Sequence, residues 1–379
     1  MKLSKYNILH TISELGISGG GPSQSVYYTV KGLRDQDVNV DILTYKPDKN
    51  DRFISEENYI IALPNKKALF AYSSEYKQYL ENHSYDIYHA QGVWLYPTYI
   101  AAKIARKQDK PYLITPRGML YPQALAVSKL KKQLFLKLFL LNDLSKASAV
   151  HATCLEEMQY LRNLGVKSSI AVIPNPINIL EEVTNSTPDK IRIGYLGRVH
   201  PRKNIKRLIY AWEKLGNETN DKELVIIGAG DEQYLQFLKD EVLRLNLKNI
   251  LFTGFLSGES KDNALCSLSY LVVPSDFENF GMIVPEALIQ GIPVIASKGT
   301  PWEELNTHNC GWWVDNDVEI LAATIEKAIH LPENERIAMG KRGQELIKNN
   351  YSVEVVSKKM IRLYEWILNG GEKPEFVYE

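Results

Sequence analysis

Short runs of apolar, β-branched residues alternate along this chain with amphipathic stretches, and the series occurs twice. Such alternation folds as a parallel sheet covered by helices, because each strand must be carried back to the same end by a crossover. In the first series Tyr6 to Thr11 reads as a strand, followed by a glycine-rich loop (Gly19, Gly20, Gly21) and a helix from about Ser23 to Leu33. Val38 to Leu43, Ile87 to Ala90, Tyr112 to Thr115, Ala149 to Thr153 and Ser169 to Ile173 read as further strands. Pro174 to Lys190, rich in Pro, Asn, Ser and Thr, reads as a linker. The second series comprises Ile191 to Leu196, Glu223 to Ile227, Asn249 to Thr253, Tyr270 to Val273 and Pro293 to Ala296, and Val353 to Leu368 closes the chain as an amphipathic helix. The expected fold class is α/β, with two Rossmann-like domains (residues 1–180 and 181–352) facing one another across a cleft and a C-terminal helix and tail (353–379).

Charge and composition exclude several functions. Lys+Arg and Asp+Glu are both 45, so the chain lacks the net positive field that non-specific nucleic-acid binding uses, and no nucleic-acid partner is expected. At 45% hydrophobic residues over 379 positions the chain is globular rather than disordered. Its three cysteines lie far apart, and its seven histidines have no zinc-ligand spacing. The N-terminus, MKLSKYNILHTISELG, does not have the pattern of a signal peptide, and no stretch approaches the roughly 20 apolar residues of a membrane span. A cytoplasmic location is expected.

Two segments carry chemistry. In SDFENFGMIVPEALIQGIPVIAS, Glu278 stands in a loop after an apolar strand and Glu286 in the first turn of a helix that begins near Pro285. Carboxylates accept hydrogen bonds only, often bidentately, which suits the paired hydroxyls of a ribose or hexose. The amides near Asn279 to Met282 suit a phosphate. Spacing alone equally allows Glu286 to complement the helix dipole and Glu278 to be a solvated loop residue. In IGYLGRVHPRKNIKRLIYAW, Arg198 and Lys203 follow a strand end, where open α/β sheets bind ligands. Fixed cations there would offset the charge that builds on a departing pyrophosphate.

Taken in order, GRVHPRKN, IIGAGDE, FTGFL, SDFENFGMIVPEAL and GIPVIAS resemble the retaining family-4 glycosyltransferases of GT-B fold. The resemblance covers nearly the whole chain and is most specific over Gly194 to Ser297. It implies that Arg198 and Lys203 clamp the donor pyrophosphate, Glu286 holds the ribose, and Glu278 contacts the donor sugar, making Arg198, Lys203 and Glu278 the expected catalytic residues. The amides of Phe280, Gly281 and Met282 would line sugar and phosphate, and Phe255 and Leu256 lie where the base-contacting loop passes. It further implies a C-terminal helix crossing back to the N-terminal domain and catalysis without a metal or other cofactor.

In the N-terminal half, GISGGGPSQSV resembles the family's glycine-rich loop, with Gly20 and Gly21 near the donor phosphates. IYHAQGVW resembles a strand ending in histidines, but Gln91 replaces the second; TPRGML carries Arg117 where many relatives have a histidine. His89, Trp94 and Arg117 are therefore expected on the acceptor side, with Arg117 suited to a phosphate or an acidic acceptor. Ala102 to Val150 holds ten Lys+Arg against two Asp, and Ser128 to Lys146 reads within it as a basic amphipathic helix suited to an anionic membrane surface. The partners expected are a nucleotide sugar, UDP-linked by preference, and a glycan acceptor carried on a polyprenyl diphosphate, of the kind used for bacterial surface polysaccharides. Two D-x-D triplets, Asp35 to Asp37 and Asp315 to Asp317, read as a polar turn and a helix cap. The alternatives are a nucleotide-sugar epimerase of the same fold and a nucleotide-sugar-binding module without turnover.

Overall fold

The computed structural model describes residues 3–64, 69–179 and 190–379. Residues 180–189, most of the expected linker, lie outside the described residues. The chain forms two compact units, Met1–Asn178 together with Ser352–Glu379, and Ile179–Tyr351.

The first unit is built on β1 (Asn7–Thr11), β2 (Asn39–Tyr45), β3 (Ile60–Leu63), β4 (Ile87–Gln91), β5 (Tyr112–Thr115), β6 (Ala149–Ala152) and β7 (Ile170–Val172). The second contains β8 (Arg192–Leu196), β9 (Glu223–Ile227), β10 (Ile250–Gly254), β11 (Tyr270–Val273), β12 (Val294–Ser297) and β13 (Gly311–Val314); β14 (Val377–Tyr378) returns to the first. The second sheet runs β10-β9-β8-β11-β12-β13 and is parallel throughout. The first runs β3-β2-β1-β4-β5-β6-β7-β14, with β14 alone antiparallel. Each order reverses direction once, between β8 and β11 and between β1 and β4, and the crevice beyond the strand ends at such a reversal is where open α/β sheets take ligands.

Three strands have no clear signal in the sequence. β3 is a partly buried edge strand, and β13 opens on Gly311, where a Cβ would lie 2.1 Å from the Val294 carbonyl oxygen. β14 has only two residues and exists through its pairing with β7.

The helix over Val353–Asn369 belongs to the first unit, where Val356, Met360, Leu363 and Tyr364 are buried in a cluster with Ile8, Val26, Val30 and Leu33. The first long helix spans Gly20–Arg34; Gly20, at φ 63°, makes the turn into it, and the helical course starts at Gly21, earlier than expected. Pro22 is compatible with that start, since first-turn residues need no intrahelical N–H bond. The basic segment is helical over Lys129–Phe135 and Leu141–Ser145, with a wider π turn over Leu136–Leu140 between them.

Candidate functional site

In the second unit the loops after β8 and β11 carry the expected donor residues. The Asp276 N–H donates to the Arg202 carbonyl (3.0 Å), Arg207 pairs with Asp276 (3.0 Å), and Lys203 forms an ion pair with Glu278. The Ser275 hydroxyl donates to the same Glu278 oxygen, Oε1, at 2.7 Å. Glu286 is held the same way: its Oε2 takes the ammonium of Lys261, on the Gly258–Cys266 helix, at 2.5 Å. Among the described residues Glu278 Oε2 and Glu286 Oε1 accept no hydrogen bond, so each carboxylate keeps one open oxygen.

Arg198 is exposed and forms no ion pair among the described residues. Its loop is fixed from below by the buried Tyr195, whose hydroxyl donates to the Arg198 carbonyl (2.9 Å). The GAGDE segment packs against the same loop, with the Val199 N–H on the Ala229 carbonyl and the Asp231 N–H on that of Val199. Only glycine permits this approach, for a Cβ at Gly228 would stand 1.9 Å from the Gly197 carbonyl oxygen and one at Gly230 2.2 Å from that of Val199.

Phe255 is exposed and Leu256 partly so at the end of β10. The Phe280 side chain is buried against Trp302 and Tyr351, and its carbonyl accepts from Trp302 Nε1 at 2.5 Å. Gly281 follows at φ 73°, a turn into the helix over Ile283–Ile289. Lys261 and Ser275 carry no signal of their own in the sequence. Ser275 adjoins the motif, but nothing in the spacing of Lys261 points to Glu286.

The first unit holds a cavity of about 440 Å³ at the β1/β4 reversal, lined by Gln91, Trp94, Arg117 and Met119 among others. His89 does not line it, correcting the acceptor-side expectation: the ring is fully buried and bonded on both nitrogens, so it cannot touch an acceptor. It is instead the middle of a hydrogen-bond chain. The Ile173 carbonyl can only accept, so His151 Nε2 donates to it (2.7 Å), and each remaining bond then has one direction. Thr115 donates to His151 Nδ1 (3.0 Å), His89 Nε2 to Thr115 (2.7 Å), Tyr364 to His89 Nδ1 (2.7 Å) and His10 Nε2 to Tyr364 (2.8 Å). Gln91 donates to His10 Nδ1 (3.3 Å) and accepts from Arg117 Nε (2.9 Å). Burial and the charge of Arg117 keep the histidines neutral, with His10 lowered to about 3 and His151 to about 4.

The D-x-D triplets have other partners. Asp35 pairs with Lys31, Asp315 with Lys298, and Asp317 caps the helix over Val318–Ile329.

Residues 20–176 match the glycosyl transferase 4-like domain and residues 177–346 the glycosyl transferases group 1. The chain belongs to this family of GT-B glycosyltransferases. It is 28% identical over 162 residues to the GDP-mannose-dependent alpha-(1-6)-phosphatidylinositol dimannoside mannosyltransferase of Mycobacterium tuberculosis, covering 42% of this chain and 41% of that protein. The chain spans about a third to two fifths of the length of curated relatives it matches. Sucrose-phosphate synthase from Thermosynechococcus elongatus superposes with a TM-score of 0.76 at 21% identity, covering 96% of this chain and 100% of that one. Anabaena HepE in complex with UDP-glucose gives 0.73 at 17% identity, covering 95% and 99%.

Proposed function

We propose that this protein is a retaining glycosyltransferase that moves a sugar from a nucleotide donor to a glycan hydroxyl without a metal. The observation that carries the reading is the pair Glu278 and Glu286, each with one oxygen held by a lysine and one open, beside the Arg198–Lys203 loop at the β8/β11 reversal. Open oxygens suit hydroxyls of the donor sugar (Glu278) and ribose (Glu286). Arg198 and Lys203 take the pyrophosphate, and the amides of Phe280, Gly281 and Met282 line sugar and phosphate. Phe255 and Leu256 meet the base.

Reaction breaks the bond from the anomeric carbon to the phosphate oxygen, and fixed cations stabilise the charge left on the leaving group. The acceptor oxygen attacks from the face the phosphate leaves, and a phosphate oxygen takes its proton. Arg117 and Trp94, in the first unit, serve the acceptor.

The donor nucleotide in this reading is UDP; the UDP-glucose complex of the structurally similar HepE supports it. The mannosyltransferase relative favours a second reading, GDP-mannose. Thermal-shift and calorimetric titration with UDP-sugars and GDP-mannose separates the two, and saturable binding of neither overturns the donor assignment.

The acceptor is lipid-linked, and the protein works on the inner face of the cell membrane in lipopolysaccharide O-antigen, capsule or exopolysaccharide assembly. Support comes from the basic helix, where Leu130, Leu134 and Leu138 are 83%, 62% and 60% exposed beside Lys129, Lys131 and Lys137, while Leu136, Leu140 and Leu144 anchor its other face in the core. Lys132 is not part of this surface: its ammonium bonds the Ala124 carbonyl (2.6 Å) and lies over the Trp94 ring. No helix among the described residues is long and apolar enough to cross a membrane.

A further inference from the structure

Arg117 occupies a conformation that a side chain resists. Its φ is 54°, in the left-handed region that costs a non-glycine residue on the order of 1–3 kcal/mol, and such strain persists only where the surroundings enforce it. Here they do so through the guanidinium. Nε donates to Gln91 Oε1 (2.9 Å), and Nη1 to Ser25 Oγ (3.1 Å) and Asn175 Oδ1 (3.2 Å). All three acceptors are neutral, and Nη2 has no hydrogen-bond partner among the described residues.

The charge is also poorly compensated. Arg117 makes no ion pair among the described residues. Glu157 acts on it from a distance, but that carboxylate is bonded to the N–H groups of Gly118 and Thr153 and to the Thr153 hydroxyl. Burial lowers the arginine pKa to about 10, which still leaves it charged at neutral pH. A partly buried cation with neutral hydrogen-bond partners and a free donor is left under-compensated until a counter-charge arrives. The cavity that Arg117 lines gives a counter-charge its approach, and the walls include Val93, Trp94, Pro97 and Met119, apolar groups that strengthen such a contact.

We propose that this cavity is an oxyanion-recognising acceptor subsite, in which Arg117 Nη2 binds a singly charged carboxylate or phosphodiester of the acceptor glycan. The inference rests on the reading of the first unit as the acceptor side. Glu14 also lines the cavity, with its carboxylate on the Ser18 hydroxyl (3.0 Å), and its charge disfavours groups carrying two negative charges. Arg117 thereby selects an acidic sugar or a phosphate-bridged one over a neutral hexose.

The test is titration of the full chain, followed by NMR, with methyl α-D-glucuronide, dimethyl phosphate and the neutral methyl α-D-glucoside. At least one oxyanion should bind saturably and about tenfold or more tighter than the glucoside, as one charge-assisted bond provides. Glucuronide preference identifies a hexuronic acid, and dimethyl phosphate preference a phosphodiester. Arg117→Gln should abolish the preference. Should that variant not fold, Glu14→Gln, at an exposed position, should strengthen oxyanion binding by removing the repelling charge. Equal binding of charged and neutral probes, or no saturation by either oxyanion, overturns the proposal. Titration of the same sample with UDP and with GDP-mannose reads the donor assignment separately: donor binding without oxyanion binding defeats the subsite alone, and oxyanion binding with neither donor bound defeats the donor assignment alone.

Discussion

Lys203 and Glu278, 75 residues apart in sequence, form a largely buried ion pair that joins the loop after β8 to the loop after β11. The pair holds the charges in place before any donor arrives. In the proposed reaction a pyrophosphate would meet an ammonium already positioned, and preorganisation of this kind is what makes a fixed charge effective in a transition state.

Lys203→Ala should therefore lower kcat by something on the order of a hundredfold, as loss of a preorganised charge stabiliser does. It also strips Glu278 of its counter-charge, so donor KM should rise as well. Steady-state kinetics on the purified variant checks both, and an unchanged kcat removes Lys203 from the mechanism.

Glu286→Ala should weaken UDP binding by about 1.5–3 kcal/mol, because the ribose loses a charged hydrogen-bond partner. Lys261→Ala, which frees the carboxylate without deleting it, should cost less. Calorimetry with UDP and 2′,3′-dideoxy-UDP isolates the contact: the dideoxy ligand should be indifferent to Glu286→Ala. Equal losses for both ligands would place Glu286 away from the ribose.

The parts of this arrangement that are legible in the sequence are those fixed by local physics. Strand ends followed by turn residues and a helix start are enough to put Arg198, Lys203 and Glu278 in the segments that follow strands, and Glu286 in the first turn of the next helix, at one end of a sheet. The lysine that holds Glu286 stays hidden, since the Lys261–Glu286 pair arises from two helices brought together by packing and leaves no periodic trace. Likewise His89 is expected at the site because IYHAQGVW resembles a family strand ending in histidines, and the arrival of Tyr364 from the C-terminal helix makes it an interior link. Gly21 looks like part of a loop because glycine is a poor helix former, yet it opens the helix that follows the turn at Gly20.

The buried histidines predict acid sensitivity. Unfolded, they titrate near pH 6.5; folded, burial and Arg117 hold His10 near 3 and His151 near 4. Between about pH 6.5 and 4 the unfolded chain binds protons that the folded chain refuses, so stability falls as pH falls. Denaturant melts across this range should show the loss, and His151→Gln should reduce the slope by one proton, about 1.4 kcal/mol per pH unit. An identical slope in the variant would mean that His151 is not held neutral.

Membrane docking predicts that the wild type co-sediments with anionic but not neutral liposomes. Replacing Lys129, Lys131 and Lys137 with Gln should reduce pelleting markedly, each lysine near the surface contributing about 1 kcal/mol. Equal and negligible pelleting in every case favours an acceptor free in solution.

The most direct test of the fixed-cation mechanism is release of nucleoside diphosphate from a UDP-sugar or GDP-mannose with no acceptor present. The wild type should release it slowly, at a rate that EDTA leaves nearly unchanged, and Arg198→Ala should abolish it. Saturable donor binding with no release, or release that vanishes with EDTA and returns with Mg²⁺ or Mn²⁺, would contradict a fixed-cation glycosyltransferase.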